Sequence, residues 1–347
     1  MSETFDPRVT PWQIDVSEFE EIESMHDQMQ FLLRFAVLAP SSRNTQPWMF
    51  RIRPDGVDVY ADYSRRLTTI DPDDRELLMS VGAAITNFRI AAAHFGFTTT
   101  VRYHAQPEHD LVASVTVCET CLPDPHLSSL FAAIPKRHTN RGIYDHKPID
   151  PRAWSRVCDV LERFPETFNV VLPEEKHQAA ELIDYAERVQ MTRPALRAEM
   201  ADWIRADDGL HTDGIPAEVF GVPHFLASGA SWFVRQFEAG AWHGPRDRRL
   251  ADSASELLIV CANDDRVSLL QAGEALEHLL LTITDAGLQY SFLNQAIEVK
   301  SLRERVKMLA DSKTPAQLLI RIGTALPVDQ MTPRRTVGSV IAPTDHS

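Results

Sequence analysis

The sequence is poor in glycine and cysteine, and it has no long apolar run. Its 347 residues include 14 Gly and 4 Cys. The glycines form neither G-x-G-x-x-G nor G-x-x-x-x-G-K-[ST], which excludes the common glycine-rich loops that bind dinucleotides and nucleotide phosphates. H-E-x-x-H is also missing and the 13 His show no ligand spacing, so no metal site is predicted. No stretch approaches the roughly 18 apolar residues of a membrane-spanning helix, so we expect no membrane partner.

Basic residues are outnumbered by acidic ones. The chain has 35 Lys and Arg against 49 Asp and Glu, a formal charge of −14. Such a surface repels phosphate backbones, so nucleic acid is not an expected partner, and any bound phosphate needs a local cluster of arginines. The acidic residues 1–23 lack the basic start and apolar centre of a signal peptide. Since few cysteines also suit a reducing compartment, we expect a cytoplasmic protein.

One polar loop separates two apolar elements in the first part of the chain. A helical apolar pattern ends at Pro40, which cannot continue the hydrogen-bond ladder, and an alternating pattern beginning at Trp48 predicts a half-buried strand. Residues 39–50 read A-P-S-S-R-N-T-Q-P-W-M-F. We call residues 40–47 the central loop. Its polar side chains predict either a turn that satisfies itself or a binding loop.

Two long apolar helices rich in small residues are predicted in different halves of the chain. Gly82 and Gly96 in and after the first helix correspond to Gly273 and Gly287 in and after the second, at one common offset. Glycine is a common helix stop, so the two end positions alone mean little. Together with the two internal glycines, they indicate an internal duplication.

A basic segment opens the second half. Residues 134–150 read I-P-K-R-H-T-N-R-G-I-Y-D-H-K-P-I-D, which places Arg137, Thr139 and Arg141 at alternate positions. In an extended chain these three side chains lie on one side. Two guanidinium groups and a hydroxyl suit a phosphate. The alternative is a solvated basic loop before a helix.

These motifs together resemble one protein family. A-P-S-S-R-N-T-Q-P-W resembles the P-S-x-x-N-x-Q-P-W segment of the nitroreductase-like flavoproteins, particularly of the Acg-type branch, whose chains carry two degenerate copies of the fold. The R-x-T-x-R segment resembles the R-R-S-x-R stretch of that family. T-P-R-R-T at residues 332–336 resembles its C-terminal basic pair, and would otherwise be interpreted as a basic tail.

The resemblance implies a fold, a cofactor and a set of residues. The fold is α+β, with two degenerate copies that each have a mostly antiparallel sheet flanked by helices. The cofactor is FMN, whose ring meets the central loop and whose phosphate meets the basic residues, while a turn at residues 294–295 lies near the flavin N5. The implied FMN-binding residues are Pro40, Ser41, Ser42, Asn44, Gln46, Arg137, Thr139, Asn140, Arg141, Asn294, Gln295, Arg334 and Arg335. No catalytic side chain is assigned, because the flavin carries the chemistry.

We expect an N-terminal extension (1–24), a first half (25–130) and a second half (131–347). The irregular stretch 193–250, which we call the excursion, contains Trp203, Trp232 and Trp242 among glycines and prolines. Because these tryptophans need an apolar surface to cover, the excursion is predicted to be a partly helical lid over a pocket. An excursion that only tightens the interface between the halves is the alternative.

Only the first half has the central loop, and only the second has R-x-T-x-R. We therefore expect a fused pseudo-dimer with one complete FMN site. Such a chain can bind FMN as a monomer, because it contains both halves of the site. Two functional classes follow from the resemblance. One is an oxidoreductase whose FMN is reduced by NAD(P)H and passes electrons to a nitroaromatic, quinone or similar small acceptor. The other is a protein that binds and sequesters the flavin with little turnover.

Overall fold

The computed structural model describes residues 6–106, 108–119, 124–206, 211–220, 222, 227–236, 240–328 and 331–342, with the backbone alone at 220, 228 and 240–245. The helices are α1 (Met25–Ala36), α2 (Arg75–His94), α3 (Pro125–Ser129), α4 (Pro151–Arg163), α5 (Lys176–Met191), α6 (Pro194–Asp202), α7 (Ala227–Gln236), α8 (Gly240–Asp252), α9 (Arg266–Asp285), α10 (Gln295–Glu298), α11 (Lys300–Leu309) and α12 (Val337–Val340). The strands are β1 (Trp48–Arg53), β2 (Gly56–Ala61), β3 (Phe97–Tyr103), β4 (Leu111–Glu119), β5 (Phe168–Val170), β6 (Ile204–Arg205), β7 (Ile215–Pro216), β8 (Glu256–Cys261), β9 (Gln289–Phe292) and β10 (Ala316–Gly323). Short 3-10 helices occur at Thr10–Trp12, Val16–Glu21, Ser42–Asn44, Tyr63–Arg65, Phe131–Lys136, Pro173–Glu175 and Ala217–Phe220.

Two antiparallel sheets of four strands each come from different parts of the chain. The first has the order β1-β2-β4-β3 and the second the order β5-β8-β10-β9. If β5, β8, β9 and β10 are matched in sequence with β1 to β4, the two orders are identical, and a long helix follows the second strand in each series. The predicted α+β class is confirmed. The shared strand order is what two copies of one unit would produce, although duplication itself stays a prediction.

The two long helices α2 and α9 pack against each other in the core. A Cβ atom on Gly82 would lie 2.1 Å from the carbonyl oxygen of Leu270, and one on Gly273 would lie 2.1 Å from that of Met79. Only glycine permits so close an approach of two helix backbones. The corresponding glycines found in the sequence therefore form the crossing point of the two halves.

The excursion lies between β5 and β8, where the first half has only the tight turn between β1 and β2. Trp203 packs beside Leu67, Ile70 and Leu196. Trp232, in contrast, is 60% exposed and so covers little apolar surface, and the lid itself stays a prediction. The Trp242 side chain is outside the described part of the chain. No helix among the described residues is long and apolar enough to cross a bilayer.

We predict that Gly82→Ala and Gly273→Ala each lower the free energy of unfolding by about 1 to 3 kcal/mol, because the added methyl group forces two helices apart. Equilibrium denaturation of the purified variants measures this. Gly229→Ala in α7 is the matched control, since a Cβ there meets nothing within 4 Å. A Gly82→Ala protein as stable as Gly229→Ala would show that the close crossing does not constrain the packing.

Candidate functional site

The central loop has an unusual backbone. Arg43, Asn44 and Gln46 have φ angles of 51°, 55° and 53°, in the left-handed region that non-glycine residues rarely adopt. Each such residue costs about 1 kcal/mol or more and persists only where its surroundings fix it. Inside the loop, the Gln46 N–H donates to Ser41 Oγ at 2.9 Å. The Asn44 N–H also donates to the Ser41 carbonyl oxygen and the Thr45 N–H to the Ser42 carbonyl oxygen, each at 3.0 Å. Further contacts that fix the loop come from distant parts of the chain.

The Asn44 side chain connects the loop to two of these parts. Its Nδ2 donates to the carbonyl oxygens of Gly214 and Pro333, each at 2.9 Å, and its Oδ1 accepts from Arg334 Nη1 at 2.9 Å. Gly214 N–H in turn donates to the Asn44 carbonyl oxygen at 3.2 Å. The buried amide is therefore fully occupied by protein partners from the excursion and from residues 332–336, which we call the C-terminal segment.

Gln46 makes an equivalent connection. Its Nε2 donates to the Thr212 carbonyl oxygen at 2.7 Å, and its Oε1 accepts from the Arg335 N–H at 2.8 Å. The Arg335 guanidinium donates to the Gln46 carbonyl oxygen at 3.1 Å and lies 3.6 Å from Asp62 Oδ2. The predicted residues Asn44, Gln46 and Arg335 thus shape the loop from within the protein.

Arg137 holds the other end of the loop. Its Nη2 donates to the Leu38 carbonyl oxygen at 3.0 Å and its Nη1 to Tyr290 Oη at 2.5 Å, while Nε lies 3.4 Å from Glu277 Oε1. Arg137 and Glu277 are both buried. Burial raises the pKa of Glu277 to about 7, in spite of the Arg137 charge that lowers it.

Arg334 reaches the same carbonyl group. Its Nη2 donates to the carbonyl oxygens of Leu38 and Ala39 at 3.3 Å each, and its guanidinium carbon lies 4.7 Å from the centre of the Trp12 ring. Burial and the nearby Arg137 charge lower the pKa of Arg334 to about 9. Two arginines predicted to hold a phosphate are therefore committed to the backbone at the start of the central loop.

Thr139 and Asn140 lie between the arginines of the basic segment. The Thr139 hydroxyl is beside Tyr290. Asn140 Nδ2 donates to Gln289 Oε1 at 3.2 Å and to the Leu326 carbonyl oxygen at 2.9 Å, and its Oδ1 accepts from the Gly142 N–H at 3.0 Å. Asn140 therefore fixes the basic segment against β9.

Arg141 differs from the other predicted arginines. In the described part of the chain its guanidinium makes no hydrogen bond and no ion pair, although it is only partly exposed. Burial first, and then the positive charge of Arg43, lower the pKa of Arg141 to about 10. Arg321 adds to this repulsion. An unpaired cation with other cations nearby creates a local positive potential in a chain whose net charge is negative.

The predicted turn at residues 294–295 lies beside several carboxyl groups. Asn294 Oδ1 accepts from the Leu319 N–H at 3.0 Å, and its Nδ2 lies 3.4 Å from Glu76 Oε1. Gln295 Nε2 donates to Asp247 Oδ2 at 2.8 Å. Burial, followed by the charge of Glu298, raises the pKa of Glu76 to about 8.

Two more carboxyl groups near this turn come from α5 and α8, which carry Glu187 and Asp247. Burial and the charge of Asp247 raise the pKa of Glu187 to about 8, and burial raises that of Asp247 to about 6. Near neutral pH, Glu187 is therefore mostly uncharged. These carboxyl groups therefore balance the positive charge of the arginines only in part.

The structure brings the central loop, the basic segment and the C-terminal segment together, as the motifs predicted. Pro40, Ser41 and Ser42 lie on the partly exposed side of the loop, and the Ser42 hydroxyl is beside Glu76. Sequence reasoning missed several residues of the site, among them Trp12, Arg43, Glu76, Glu187, Asp247, Glu277 and Tyr290. Only Arg43 had a visible signal, since it lies within the loop motif.

Comparison with known proteins gives relatives along most of the chain. No protein-family model matches it. "Putative NAD(P)H nitroreductase Rv3131" of Mycobacterium tuberculosis is 28% identical over 325 residues, which cover 91% of each chain. "Putative NAD(P)H nitroreductase acg" of the same species is 26% identical over 318 residues, covering 90% of this chain and 95% of that protein. "Uncharacterized protein Rv3127" is 28% identical over 336 residues, covering 89% and 92%.

Two solved structures also match at low similarity. An FMN and NADPH-dependent nitroreductase, NfnB from Sphigopyxis sp. strain HMH, has a TM-score of 0.41 and 18% identity, and covers 62% of this chain and 98% of its own. A nitroreductase from Anabaena variabilis described as putative has a TM-score of 0.43 and 10% identity, covering 90% and 92%. The sequence relatives therefore carry the comparison. They confirm the resemblance that the motifs predicted: over about nine-tenths of its length, this chain is similar to nitroreductase-like proteins of the Acg type.

Proposed function

We propose that the protein binds one FMN and is an NAD(P)H-dependent oxidoreductase of the nitroreductase type. The names of two sequence relatives support the reaction class. The observation that carries the cofactor proposal is Arg141, a partly buried cation with no partner among the described residues and with Arg43 as a neighbouring positive charge. Such a guanidinium needs an anion, and the FMN phosphate is one.

The proposed site divides the predicted residues into two groups. Asn44, Gln46, Arg137, Arg334 and Arg335 use their polar atoms within the protein and hold the central loop in place, and Asn140 fixes the basic segment in the same way. We assign the remaining residues, Pro40, Ser41, Ser42, Thr139, Arg141, Asn294 and Gln295, to the cofactor. Among them, the Arg141 guanidinium has no partner in the described part of the chain, and Gln295 Oε1 is buried without a hydrogen-bond partner. The first group thus preorganises the second.

The bound flavin would supply the hydride chemistry, and the protein would supply position and electrostatics. The positive charge of Arg141 would favour an anionic group beside it. Glu187 and Glu76, which are mostly protonated near neutral pH, avoid placing full negative charge at the same location. The excursion contacts the loop through Thr212 and Gly214 and so forms one wall of the site.

The alternative function is a protein that binds the flavin and excludes reductants. The contacts between the excursion and the central loop favour this alternative, because a wall fixed by buried hydrogen bonds can also cover the cofactor. We propose that the excursion is such a lid, which limits access of reductants to the flavin. Access of NAD(P)H to the flavin decides between the two functions.

We predict that Arg141→Ala weakens FMN binding by roughly ten- to a hundredfold, because a hydrogen bond to a charged group contributes about 1.5 to 3 kcal/mol. Riboflavin, which lacks the phosphate, should lose little. Fluorescence titration of the apoprotein with both flavins measures the two dissociation constants.

Two further variants make this test specific. Arg334→Ala should weaken both flavins alike, since Arg334 holds the loop, and Arg152→Ala, at an exposed position of α4, should change neither. If Arg141→Ala weakens FMN and riboflavin equally, Arg141 does not hold the phosphate.

We predict that the FMN-loaded protein is reduced anaerobically by NADH or NADPH and is reoxidised by a nitroaromatic or a quinone. Stopped-flow absorbance of the flavin measures both half-reactions. A flavin that neither nucleotide reduces would refute the reductase proposal and favour sequestration.

The same experiment tests the lid. Asp213 in the excursion pairs with Arg65 of the first half and with Arg205, so Asp213→Asn should loosen the excursion and speed flavin reduction. Asp184→Asn, which breaks an ion pair with Arg188 on the exposed surface of α5, is the matched control. Equal reduction rates in the two variants would show that the excursion does not limit access.

A further inference from the structure

Arg43 is a second arginine of the site whose charge has no direct partner. Its Nε is buried without a hydrogen-bond partner, and its guanidinium forms no ion pair in the described ranges. An arginine side chain is poorly suited to remain unpaired inside a protein, because its guanidinium group does not lose its charge. Arg43 occupies the second of the two unspecified positions before Asn44 in the motif P-S-x-x-N.

The backbone at Arg43 is held in an unfavourable conformation. Its φ of 51° and ψ of 19° interrupt the 3-10 turn Ser42–Asn44. Asn44, beside it, has a φ of 55° and is fixed on three sides by Gly214, Pro333 and Arg334. Strain that is maintained by so many neighbours is typical of functional positions. Here it places an arginine side chain in the site.

The neighbours of Arg43 define what it could bind. One neighbour is Arg141, whose pKa the charge of Arg43 lowers. Two others are Glu187 of α5 and Asp247 of α8, where the charge of Arg43 partly opposes the rise in pKa that burial causes. Neither carboxylate lies within ion-pair distance of it, so the guanidinium keeps donors for a small molecule. Arg43 is therefore close both to the residue assigned to FMN and to two acidic residues of α5 and α8.

We propose that Arg43 selects electron acceptors that carry a negative charge, such as a nitroaromatic carboxylate. This inference rests on the proposed oxidoreductase function and deepens it by naming the substrate class. The guanidinium offers two parallel N–H donors that match a carboxylate. With Arg141 next to it, the local field attracts anions even though the chain as a whole carries a charge of −14.

The test compares 4-nitrobenzoate with 4-nitrobenzamide, a neutral molecule of nearly the same shape. For the FMN-loaded parent protein, we expect kcat/KM and calorimetric affinity to favour the benzoate by about ten- to a hundredfold. Arg43→Gln should bring this ratio near one, and Arg43→Lys should retain part of it. Arg152→Gln, at an exposed position, should leave the ratio unchanged.

Each ratio compares the benzoate with the benzamide on the same protein sample. A fraction of unfolded protein lowers both values equally and therefore does not change their ratio. No preference for the benzoate in the parent, or a preference that survives Arg43→Gln, would overturn the proposal. Two further results for Arg43→Gln would also overturn it. One is a loss of FMN affinity, and the other a loss of discrimination between NADPH and NADH, by the same factor as the loss of preference for the benzoate. In either case Arg43 would bind a phosphate group and not the carboxylate of the acceptor. A binding preference that Arg43→Gln abolishes in a protein without turnover would support the role of Arg43 and refute the reductase function.

Discussion

The carbonyl oxygen of Leu38 accepts hydrogen bonds from both Arg137 and Arg334. Leu38 belongs to the first half of the chain and the two arginines to the second, so this contact fixes one half against the other at the start of the central loop. Asn87 of α2 strengthens this contact. With its side-chain amide oriented to satisfy both neighbours, Asn87 donates to Glu277 and accepts from the Ala39 N–H. The strained backbone at residues 43–46 depends on this fixed starting point.

The same contact determines the charge distribution of the site. Glu277 lies beside Arg137, while Arg334 is surrounded by carbonyl oxygens and the Trp12 ring, so positive charge accumulates there. Arg141 and Arg43 are close enough for the charge of Arg43 to lower the pKa of Arg141, and they add to this positive charge. Within the part of the chain that the structure describes, these arginines thus form a positive region in spite of the large negative net charge. The proposed flavin binding and the proposed selectivity for acceptors both depend on it.

Much of the fold could be predicted from the sequence, because apolar periodicity and glycine positions report local structure directly. Helix α1, the β1–β2 hairpin and the paired glycines of α2 and α9 were all visible in this way. The meeting of the loop with the basic segment came only through the family resemblance. The hydrogen bonds of Arg137 and Arg334 at the start of the loop could not be predicted, since the Leu38 and Ala39 carbonyl groups that accept them are backbone atoms far away in the sequence. Trp12 was missed because the acidic segment around it indicated a solvated extension.

The central claim is that residues from both halves build a single flavin site. Titration of the apoprotein with FMN, followed by flavin absorbance and protein quantification after gel filtration, measures the number of flavins per chain. The account predicts one FMN per chain, because only the central loop and the basic segment meet to form the site. Two flavins per chain, or none after reconstitution, would contradict it.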